Sequence, residues 1–416
     1  MANLTISAVC NQRCPYCFTA DHLNGAGPSQ HFLDSGDFEA RLDFLDRSGI
    51  DQARLLGGEP TLHPQFPALI ERARARNKTI VVFTNGLIPA ASLACLESLP
   101  ATACSVLVNV NEPARMSRMY PSATSGSQHG LGGLADGGHN ADESDVPIRY
   151  VCKDGKAIFE RQCATIRRLG ERAMVGFNIY QPDFQPEFLL PLIAETGCRP
   201  AVRLGLAHPC LSGENRYVYP HQYVAIGRKI VRFARRAADA GVRVEFDCGF
   251  VRCMFAEQDL ETLTGLGADV GWRCNPILDV GLDGQVIHCY PLSRLGGLPL
   301  TPQTDAPALR RAFESRTRPY RQTGIFRECS TCPFKASGVC PGGCLAATMR
   351  RFRHTPFALV YDARRGGRPA SVGSPRLKPG VRPETGPVAP AGQPASAGSP
   401  RLKPGVRPET SQEAAP

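Results

Sequence analysis

The chain has 416 residues, and its 48 Lys and Arg against 38 Asp and Glu give a formal charge of +10 at pH 7. No apolar run approaches the roughly 20 residues that a membrane-spanning helix needs, and the N-terminus lacks the basic and apolar regions of a secretory signal. These features argue against a membrane or exported protein and predict a cytoplasmic one. In that reducing compartment, the 17 cysteines are expected to bind metal or take part in chemistry rather than to form disulfides.

Apolar, β-rich runs alternate with helical patterns along residues 1–247, which predicts βα units around a parallel sheet. Six such units favour an α/β fold of the partial (β/α)6 barrel type over a closed barrel of eight. The predicted strands are Leu4–Val9, Ala53–Leu56, Thr79–Thr84, Ser105–Val110, Met174–Tyr180 and Ala201–Leu206. The predicted helices are Asp37–Ser48, Gln65–Arg76, Ala90–Leu99, Ile158–Leu169, Pro186–Glu195 and Pro220–Ala240.

Three cysteines follow the first predicted strand with the spacing C-x3-C-x2-C. Cys10, Cys14 and Cys17 share one short loop, so each thiolate can bind one iron of a [4Fe-4S] cluster and leave the fourth iron without a protein ligand. A zinc site is the alternative, but it needs a fourth Cys or His, and only His22 and His31 are near. A loop without metal is the third possibility.

This loop resembles the signature of a known family. The segment Cys10–Phe18, with Tyr16 before its third cysteine, is similar to the cluster-binding loop of radical S-adenosylmethionine (radical SAM) enzymes. Gly57-Gly58-Glu59-Pro60 follows the second strand, as in that superfamily. The resemblance implies that this segment binds the methionine amino group of SAM. Physically, two glycines let a backbone approach a ligand closely, and the Glu59 carboxylate offers an acceptor.

Polar residues also mark the later strands. Thr84-Asn85-Gly86 ends the third strand, Asn109 and Asn111 end the fourth, Asn178 lies on the fifth, and Arg203–Pro209 covers the sixth. Amides above the carboxyl ends of parallel strands are placed to meet a ribose or a carboxylate, although each could equally be a turn residue. The residues predicted to bind SAM are Gly57, Gly58, Glu59, Pro60, Thr84, Asn85, Asn109, Asn111, Asn178 and Arg203.

The resemblance implies a mechanism that the composition does not show. SAM would bind the open iron, and one electron from the reduced cluster would split it into methionine and a 5′-deoxyadenosyl radical that abstracts hydrogen from a substrate. A one-electron donor such as flavodoxin or ferredoxin is therefore an expected partner. The cofactors supply the chemistry, while the protein orients them and excludes water and oxygen. No catalytic side chain is identified at this stage.

Two segments depart from the βα pattern. Residues 115–156, between the fourth strand and its helix, are rich in Gly, Ser, His and Asp and are expected to form a mobile loop over the strand ends. After about Phe250, short segments, turn dipeptides and cysteines replace the alternation. We therefore predict a boundary that separates a barrel at 1–247 from a cysteine-rich domain at 248–360.

The cysteine-rich region has the pattern Cys274-x9-Gly284-x4-Cys289, followed by cysteines spaced C-x2-C-x7-C-x3-C at 329–344. Asp283-Gly284 predicts a type I′ hairpin turn between strands at 277–282 and 285–289. The pattern resembles the SPASM extension of peptide- and protein-modifying radical SAM enzymes, which implies one or two auxiliary [4Fe-4S] clusters. Without the resemblance, the last four cysteines would suggest a zinc site.

The sequence departs from that extension in two ways. The family usually places the second and third cysteines of the last group closer together than the seven intervening residues found here, and no cysteine follows Cys344. One set, Cys329, Cys332 and Cys340, would then have three thiolates and an open or otherwise closed iron. The other set, Cys274, Cys289 and Cys344, needs a fourth ligand, for which Cys253 or Cys248 is at a plausible distance in sequence, unless both are core residues or one of them is a catalytic thiol. The cysteines without ligand spacing, expected in the core, are Cys95, Cys104, Cys152, Cys163, Cys198 and Cys210.

The segment 361–416 is expected to be a disordered tail. Residues 363–416 carry nine Lys or Arg and three Glu, and Ser374–Thr385 recurs unchanged at Ser399–Thr410. Such a sequence cannot bury enough apolar surface to offset its ordering entropy. The tail is interpreted first as a solubilising tether. The alternative is a docking segment for an acidic partner, and no nucleic-acid partner is predicted.

Three functions remain open from the sequence. The SPASM-like region favours a maturase that modifies a peptide or a protein side chain. Because the cluster loop begins near residue 10, no leader-binding domain is expected before it, and a separate peptide-recognition protein or direct recognition would be needed. A radical SAM enzyme for a small amino acid, sugar or cofactor precursor is the alternative. An iron–sulfur electron carrier without SAM chemistry is the third.

Overall fold

The computed structural model describes residues 1–20, 23, 31–112, 155–211, 215–268, 270–274 and 276–352. The loop expected at 115–156 lies outside these residues except for its last two, which begin a helix, and the tail expected at 361–416 lies wholly outside them. The described residues all belong to one compact unit. None of their helices is long and apolar enough to cross a membrane.

One ten-stranded sheet organises the described residues, in the order β10-β9-β8-β1-β2-β3-β4-β5-β6-β7. Strands β1 to β7 run parallel, β8 joins β1 in parallel, and β9 and β10 add antiparallel pairs at the edge. The strands are β1 Ala2–Ser7, β2 Gln52–Gly57, β3 Thr79–Thr84, β4 Cys104–Asn109, β5 Ala173–Ile179, β6 Ala201–Leu206, β7 Arg243–Phe246, β8 Leu278–Val280, β9 Gln285–Ile287 and β10 Leu298–Pro299.

Helices connect the parallel strands, which confirms the α/β fold expected from the alternating pattern. Asp34 caps the first helix by accepting the Asp37 N–H at 2.8 Å, and Gly197, with φ of 65°, ends the fifth in the left-handed region. The helices are α1 Ser35–Arg47, α2 Phe66–Ala75, α3 Ala90–Ser98, α4 Gly155–Leu169, α5 Leu189–Thr196, α6 Tyr223–Asp239, α7 Glu257–Gly265, α8 Ala306–Thr323, α9 Pro333–Ala336 and α10 Leu345–Arg351.

The C-terminal region extends the barrel sheet, a feature that the sequence analysis missed. It also missed β7, a short strand between the long helix α6 and the cysteines. The expected hairpin is present as β8 and β9, but its turn is not type I′, because that type needs positive φ at two central residues. Gly284 has φ of 70°, whereas Asp283 does not enter the positive region, and the Gly284 N–H donates to the Gly281 carbonyl at 3.2 Å. The boundary expected at 247/248 stays a prediction, since strands on both sides share the sheet.

The two faces of the sheet differ in chemistry. Along each central strand, alternate residues such as Leu4, Val82 and Val175 are fully buried in the apolar core that the helices cover. The opposite face carries polar residues. On that face Arg54 of β2 feels the charge of Arg203 of β6. In a flat sheet these strands would lie four spacings, or roughly 19 Å, apart, so this interaction favours a sheet that curls around a polar interior.

A buried carboxyl group ties the C-terminal hairpin to β1. Asp279 of β8 accepts a hydrogen bond from Asn3 Nδ2 at 2.7 Å and another from the Tyr290 N–H at 2.9 Å. Burial raises its pKa to about 7, against those two hydrogen bonds. In the unfolded chain an Asp carboxyl ionises near pKa ~3.9, so the folded protein holds the extra proton between these two values.

This proton makes a pH dependence that can be measured. Because the folded state binds more protons than the unfolded state from about pH 4 to about pH 7, the free energy of unfolding should fall by about 3 kcal/mol as the pH rises through that window. Asp279→Asn should remove this fall, as followed by urea unfolding of cluster-free protein at several pH values. Asp239→Asn, at the exposed end of α6, is the matched control. An unchanged pH profile in Asp279→Asn would contradict the assignment.

Candidate functional site

The loop after β1 brings three thiols together at the carboxyl edge of the sheet. The Gln12 N–H donates to Cys10 Sγ at 3.4 Å, and the Cys17 N–H donates to the Cys14 carbonyl at 3.1 Å, so the loop folds tightly. Burial raises the pKa of Cys10 to about 12 and that of Cys14 to about 11, and the neighbouring thiolates of the loop act in the same direction. Crowded thiols of this kind favour a cationic group, because a bound metal stabilises the thiolate form.

The Gly-Gly-Glu-Pro segment packs directly on this loop. The Gly58 N–H donates to the Ser7 carbonyl at 2.8 Å and the Glu59 N–H to the Val9 carbonyl at 2.7 Å, which continues the β1–β2 pairing past the strands. A Cβ at Gly57 would lie 2.1 Å from the Ser7 oxygen, and one at Gly58 would lie 2.3 Å from the Val9 oxygen. The glycines are therefore required by contact between two backbone segments of the chain. Their expected approach to a ligand stays a prediction.

Glu59 is fully buried and links three segments. Its Oε1 accepts from the Thr61 hydroxyl at 2.6 Å, the Thr61 N–H at 3.2 Å and the Thr84 hydroxyl at 2.8 Å, and its Oε2 accepts from the Asn85 N–H at 2.8 Å. Burial raises the pKa of this carboxyl, against these four hydrogen bonds. Pro60 is buried beside it, at the start of a 3-10 helix. A direct contact of Glu59 with SAM stays a prediction, and its hydrogen bonds instead favour a positioning role.

Asn85 connects the end of β3 to the cluster loop. Its Nδ2 donates to Asn11 Oδ1 at 2.7 Å and lies 3.8 Å from Cys10 Sγ. Its Oδ1 accepts from the Leu87 N–H at 2.9 Å, which closes a turn. The structure thus brings Asn85 to the predicted cluster site, with its side chain engaged by the loop itself.

A row of polar side chains runs from the barrel interior to the second cysteine of the loop. Asn178 Nδ2 donates to Asn109 Oδ1 at 2.8 Å, and Asn109 Nδ2 donates to the Tyr16 hydroxyl at 2.7 Å. That hydroxyl donates to Asn111 Oδ1 at 2.6 Å, and Asn111 Nδ2 lies 3.9 Å from Cys14 Sγ. Three of the predicted SAM contacts therefore meet through the buried tyrosine of the signature loop.

One residue of the site was missed by the sequence analysis. Gln162 of α4 is fully buried, and its Nε2 donates to the Asn85 carbonyl at 2.6 Å and to the Asn109 carbonyl at 3.3 Å. Its Oε1 is buried without a hydrogen-bond partner among the described residues. The available signal was a polar residue on the buried face of an amphipathic helix, between Ile158 and Ile166.

Arg203 is placed differently from the other predicted SAM contacts. It lies on the inner face of β6 and forms an ion pair with Asp247, with Nη2 2.6 Å from Oδ1. Its electrostatic neighbour across the barrel is Arg54 rather than a residue of the cluster loop. A contact between Arg203 and SAM stays a prediction. It has no support from a hydrogen bond or ion pair between Arg203 and the cluster loop among the described residues.

Three cysteines of the C-terminal region belong to one apolar cluster or pack against it. Cys344 is buried in this cluster, and Cys274 and Cys289 pack against it. The Leu345 N–H donates to Cys274 Sγ at 3.3 Å. Burial raises the pKa of Cys289, and the nearby thiolates, including that of Cys248, add to the effect.

The segment 324–344 gathers the other three cysteines. The Cys332 N–H donates to the Cys329 carbonyl at 3.4 Å, and the Cys340 N–H donates to the Phe334 carbonyl at 3.0 Å. A Cβ at Gly324 would lie 2.6 Å from Cys329 Cβ, so this turn also needs a glycine. Cys253 lies against this segment, because the guanidinium of its neighbour Arg252 stacks 3.8 Å from the Phe334 ring centre.

The remaining cysteines follow the core expectation. Cys104, Cys198 and Cys210 are buried, and Cys95 and Cys163 pack against the main core, while Cys152 and His22 lie outside the described residues. No disulfide joins the described cysteines. In the same part of the chain, no three His, Cys, Asp or Glu side chains converge as a single metal ion would require.

The comparison with known families bears on the first 120 residues. Residues 4–120 match the model described as the Radical SAM superfamily. These residues form a radical SAM domain. This domain contains the three-cysteine loop, the Gly-Gly-Glu-Pro segment and the polar ends of β3 and β4. The family implies a [4Fe-4S] cluster and SAM, and the crowded thiols of the loop fit the first of these groups.

Relatives with assigned names share only part of this chain. GTP 3',8-cyclase of Xanthomonas axonopodis pv. citri (strain 306) is 31% identical over 120 residues, 28% of this chain and 36% of that protein. GTP 3',8-cyclase 1 of Mycobacterium tuberculosis (strain ATCC 25618 / H37Rv) is 26% identical over 123 residues, 28% of this chain and 34% of that protein. The chain thus spans about a third of the length of these curated relatives.

Solved structures resemble the radical SAM domain and the region that follows it. Streptococcus suis SuiB bound to S-adenosylmethionine matches 84% of this chain and 74% of its own, with a TM-score of 0.54 at 13% identity. Native anSMEcpe with bound AdoMet matches 82% of this chain and 88% of its own, with a TM-score of 0.55 at 17% identity. At these identities the likeness is one of fold.

Proposed function

We propose that the chain is a radical SAM enzyme that acts on a peptide or protein side chain with the help of auxiliary [4Fe-4S] clusters. The radical SAM domain supports the first part. The observation that carries the second is the cysteine-rich region, which is built onto the same sheet. Cys17 and Cys289 are followed by Phe18 and Tyr290, whose ring centres lie 5.8 Å apart.

Contacts on two sides support this coupling. Tyr290 and Thr5 of β1 share a short hydrogen bond between their hydroxyls. The Arg216 N–H donates to the Pro15 carbonyl at 2.8 Å, and Asn215 Nδ2 donates to the Tyr16 carbonyl at 3.3 Å. The cluster loop is therefore held between the barrel and the cysteine-rich region, which suits electron transfer between neighbouring clusters.

With a reduced cluster and SAM bound, radical SAM chemistry supplies one-electron cleavage of SAM and hydrogen abstraction from a substrate. The chain's own residues would do the rest. Cys10, Cys14 and Cys17 would hold three irons, and Glu59 would position Asn85 beside them. The polar row through Tyr16 would hold the second cysteine in place and present amides to SAM. A one-electron donor such as flavodoxin or ferredoxin would be required.

A small-molecule substrate is the second candidate. It is favoured by the relatives named GTP 3',8-cyclase, a name that describes a reaction on a nucleotide. Their similarity covers at most 28% of this chain, about the length of the superfamily match itself. The fold similarity to SuiB instead covers 84% and so extends into the cysteine-rich region. This difference in extent favours the peptide proposal.

The two candidates separate in one anaerobic experiment. Reconstituted enzyme is incubated with SAM and a reductant, with and without peptides encoded beside its gene, and in parallel with GTP. We expect the peptide to raise 5′-deoxyadenosine release and to change its own mass. Consumption of GTP, with no change in any peptide, would favour the nucleotide reaction. An absence of 5′-deoxyadenosine under all conditions would leave only an electron carrier.

A variant of the cysteine-rich region tests the role of the auxiliary clusters. Cys332→Ala should still release 5′-deoxyadenosine, because the first cluster is intact, but should form no modified peptide. Product and 5′-deoxyadenosine are measured in the same sample by mass spectrometry. Cys95→Ala, whose thiol packs against the core of the barrel, is the control and should keep both products. Normal product formation by Cys332→Ala would show that this cysteine is dispensable for the reaction.

A further inference from the structure

Two cysteines just after β7 point to different sites although only four residues separate them. The preceding sections leave one set of thiols at Cys274, Cys289 and Cys344 and another at 329–340, each one short of the four that close a cluster. We propose, on the basis of the proposed function, that Cys253 is the fourth ligand of the set 329–340 and that Cys248 is the fourth ligand of the other set. Both auxiliary clusters would then be closed by protein.

The contacts around Cys253 carry the first assignment. Cys253 lies in the 3-10 helix Arg252–Met254. The Arg252 guanidinium covers the ring of Phe334, whose carbonyl in turn accepts the Cys340 N–H. On the other side, Val251 packs 3.0 Å from the position that a Cβ on Gly343 would occupy. The Val251 contact lies beside Cys344, so it holds this part of the chain without distinguishing the two sets. The contact of Arg252 with Phe334, between Cys332 and Cys340, is the one that favours the set 329–340.

The contacts around Cys248 carry the second assignment. The N–H of Gly249, the next residue, donates to the carbonyl of Arg273 at 2.8 Å, and Arg273 precedes Cys274. His208 Nε2 lies 3.3 Å from the Cys248 carbonyl, which holds the backbone from the barrel side. The residue after Cys248 is thus bonded to the residue before Cys274, which supports placing their two thiols at one site.

One glycine allows the chain to direct Cys248 and Cys253 to different sites. Gly249 has φ of 93°, and a Cβ there would lie 1.9 Å from His208 Nε2, so only glycine allows this turn. Val251 then enters the core and the 3-10 helix turns Cys253 away, toward Phe334. The short segment 248–253 would thereby provide one thiol ligand to each site.

The division has a functional consequence. If both clusters are closed by four thiolates, neither offers an iron to a substrate thiolate. Their role would be to carry electrons, and the open iron of the first cluster would be the place where a ligand binds. The SPASM extension usually has a cysteine downstream of the last group, and none follows Cys344 here. Cys253, which lies upstream in sequence, would take its place as a ligand, so the iron would not have an open coordination position.

Thiol footprinting of the wild-type holoenzyme tests the ligation without any mutation. Anaerobic enzyme with its full iron content is treated with iodoacetamide, digested and mapped by mass spectrometry, before and after its clusters are removed with a chelator and an oxidant. Cys253 is exposed in the metal-free arrangement, so its thiol should be alkylated after cluster removal and protected before it. Alkylation of Cys253 in enzyme that retains all its iron would overturn the proposal.

Paired variants test which site each cysteine serves. Three four-iron clusters hold about 12 irons per chain, and Cys329→Ala with Cys332→Ala should leave about eight. Adding Cys253→Ala to that background should change neither the iron content nor the EPR spectrum of the two remaining clusters. Adding Cys248→Ala should instead disturb one of them. In a Cys274→Ala, Cys289→Ala background the two outcomes should be reversed.

The outcomes separate this inference from the proposed function. A wild-type content of about four irons would remove the auxiliary clusters, and with them the proposed function. A content of about 12 irons, with Cys253→Ala disturbing one of the two clusters that remain in the Cys329→Ala, Cys332→Ala background, would overturn the assignment alone. Cys95→Ala is the control for nonspecific loss of iron, and Cys253→Ser repeats the test with a side chain closer in shape to the native one.

Discussion

Cys14→Ala is expected to abolish SAM cleavage. Cys14 is the central thiol of the first loop, and it is the one reached by the polar row through Tyr16 and Asn111. Loss of this ligand should remove the first cluster and lower 5′-deoxyadenosine release by at least about 100-fold, since disturbing the surroundings of a metal ligand alone costs roughly 10–100-fold. Release is measured anaerobically by chromatography, together with the iron content, which should fall by about four per chain.

Two controls make this result specific. Cys95→Ala should retain cleavage and iron, because that thiol packs against the core beside α3. Circular dichroism of Cys14→Ala should match the wild type, since the loop follows β1 and does not form the sheet. Cleavage at the wild-type rate in Cys14→Ala would reject the assignment of the three N-terminal cysteines to the cluster.

Glu59→Gln is expected to weaken both the fold around the site and the chemistry. The carboxylate accepts hydrogen bonds from two backbone N–H groups, those of Thr61 and Asn85, and a backbone N–H can only act as a donor. An amide at this position has only one oxygen, so its NH2 group would face a donor. Leaving a buried donor without an acceptor costs about 1–3 kcal/mol, which should appear as a lower free energy of unfolding in the cluster-free protein.

The effect on activity should exceed that on stability. Displacement of Asn85 moves an amide that lies 3.8 Å from Cys10 Sγ and hydrogen-bonds the neighbouring Asn11. We expect SAM cleavage to fall by at least about tenfold, as for other residues that orient metal ligands. Glu71→Gln, on the exposed face of α2, should change neither stability nor cleavage. A fully active and stable Glu59→Gln would show that the hydrogen bonds of Glu59 do not hold the site.

Local sequence patterns predict the elements of this fold well. The strands at 79–84 and 201–206 coincide with their predicted bounds, and the other four barrel strands lie within a few residues of theirs. These strands are buried on one face and connected by amphipathic helices, so their periodicity is visible in short windows. The short strands β7 and β10 were missed, because four residues or fewer cannot show a period.

The candidate site also has features that the local sequence predicts and features that it does not. The thiols of the first loop are close in sequence, so their spacing alone predicts that they meet. The contacts of Gly57 and Gly58 within the chain were missed, since the atoms that exclude a side chain there belong to Ser7 and Val9, some 50 residues away. Gln162 was missed for a related reason: only the packing of α4 shows which strand ends its amide reaches.

The sequence by itself determined the alternating α/β fold and the three-cysteine loop, because both depend on interactions between residues that are near one another in the chain. Only the tertiary structure supplies the contacts on which the proposed division of the thiols in the cysteine-rich region rests. Cys248 and Cys253 are nearly equivalent in sequence, and they differ in what Gly249 and Arg252 touch, namely Arg273 and Phe334. Those contacts form when β7, the hairpin and the final helices pack together, and no local pattern encodes them.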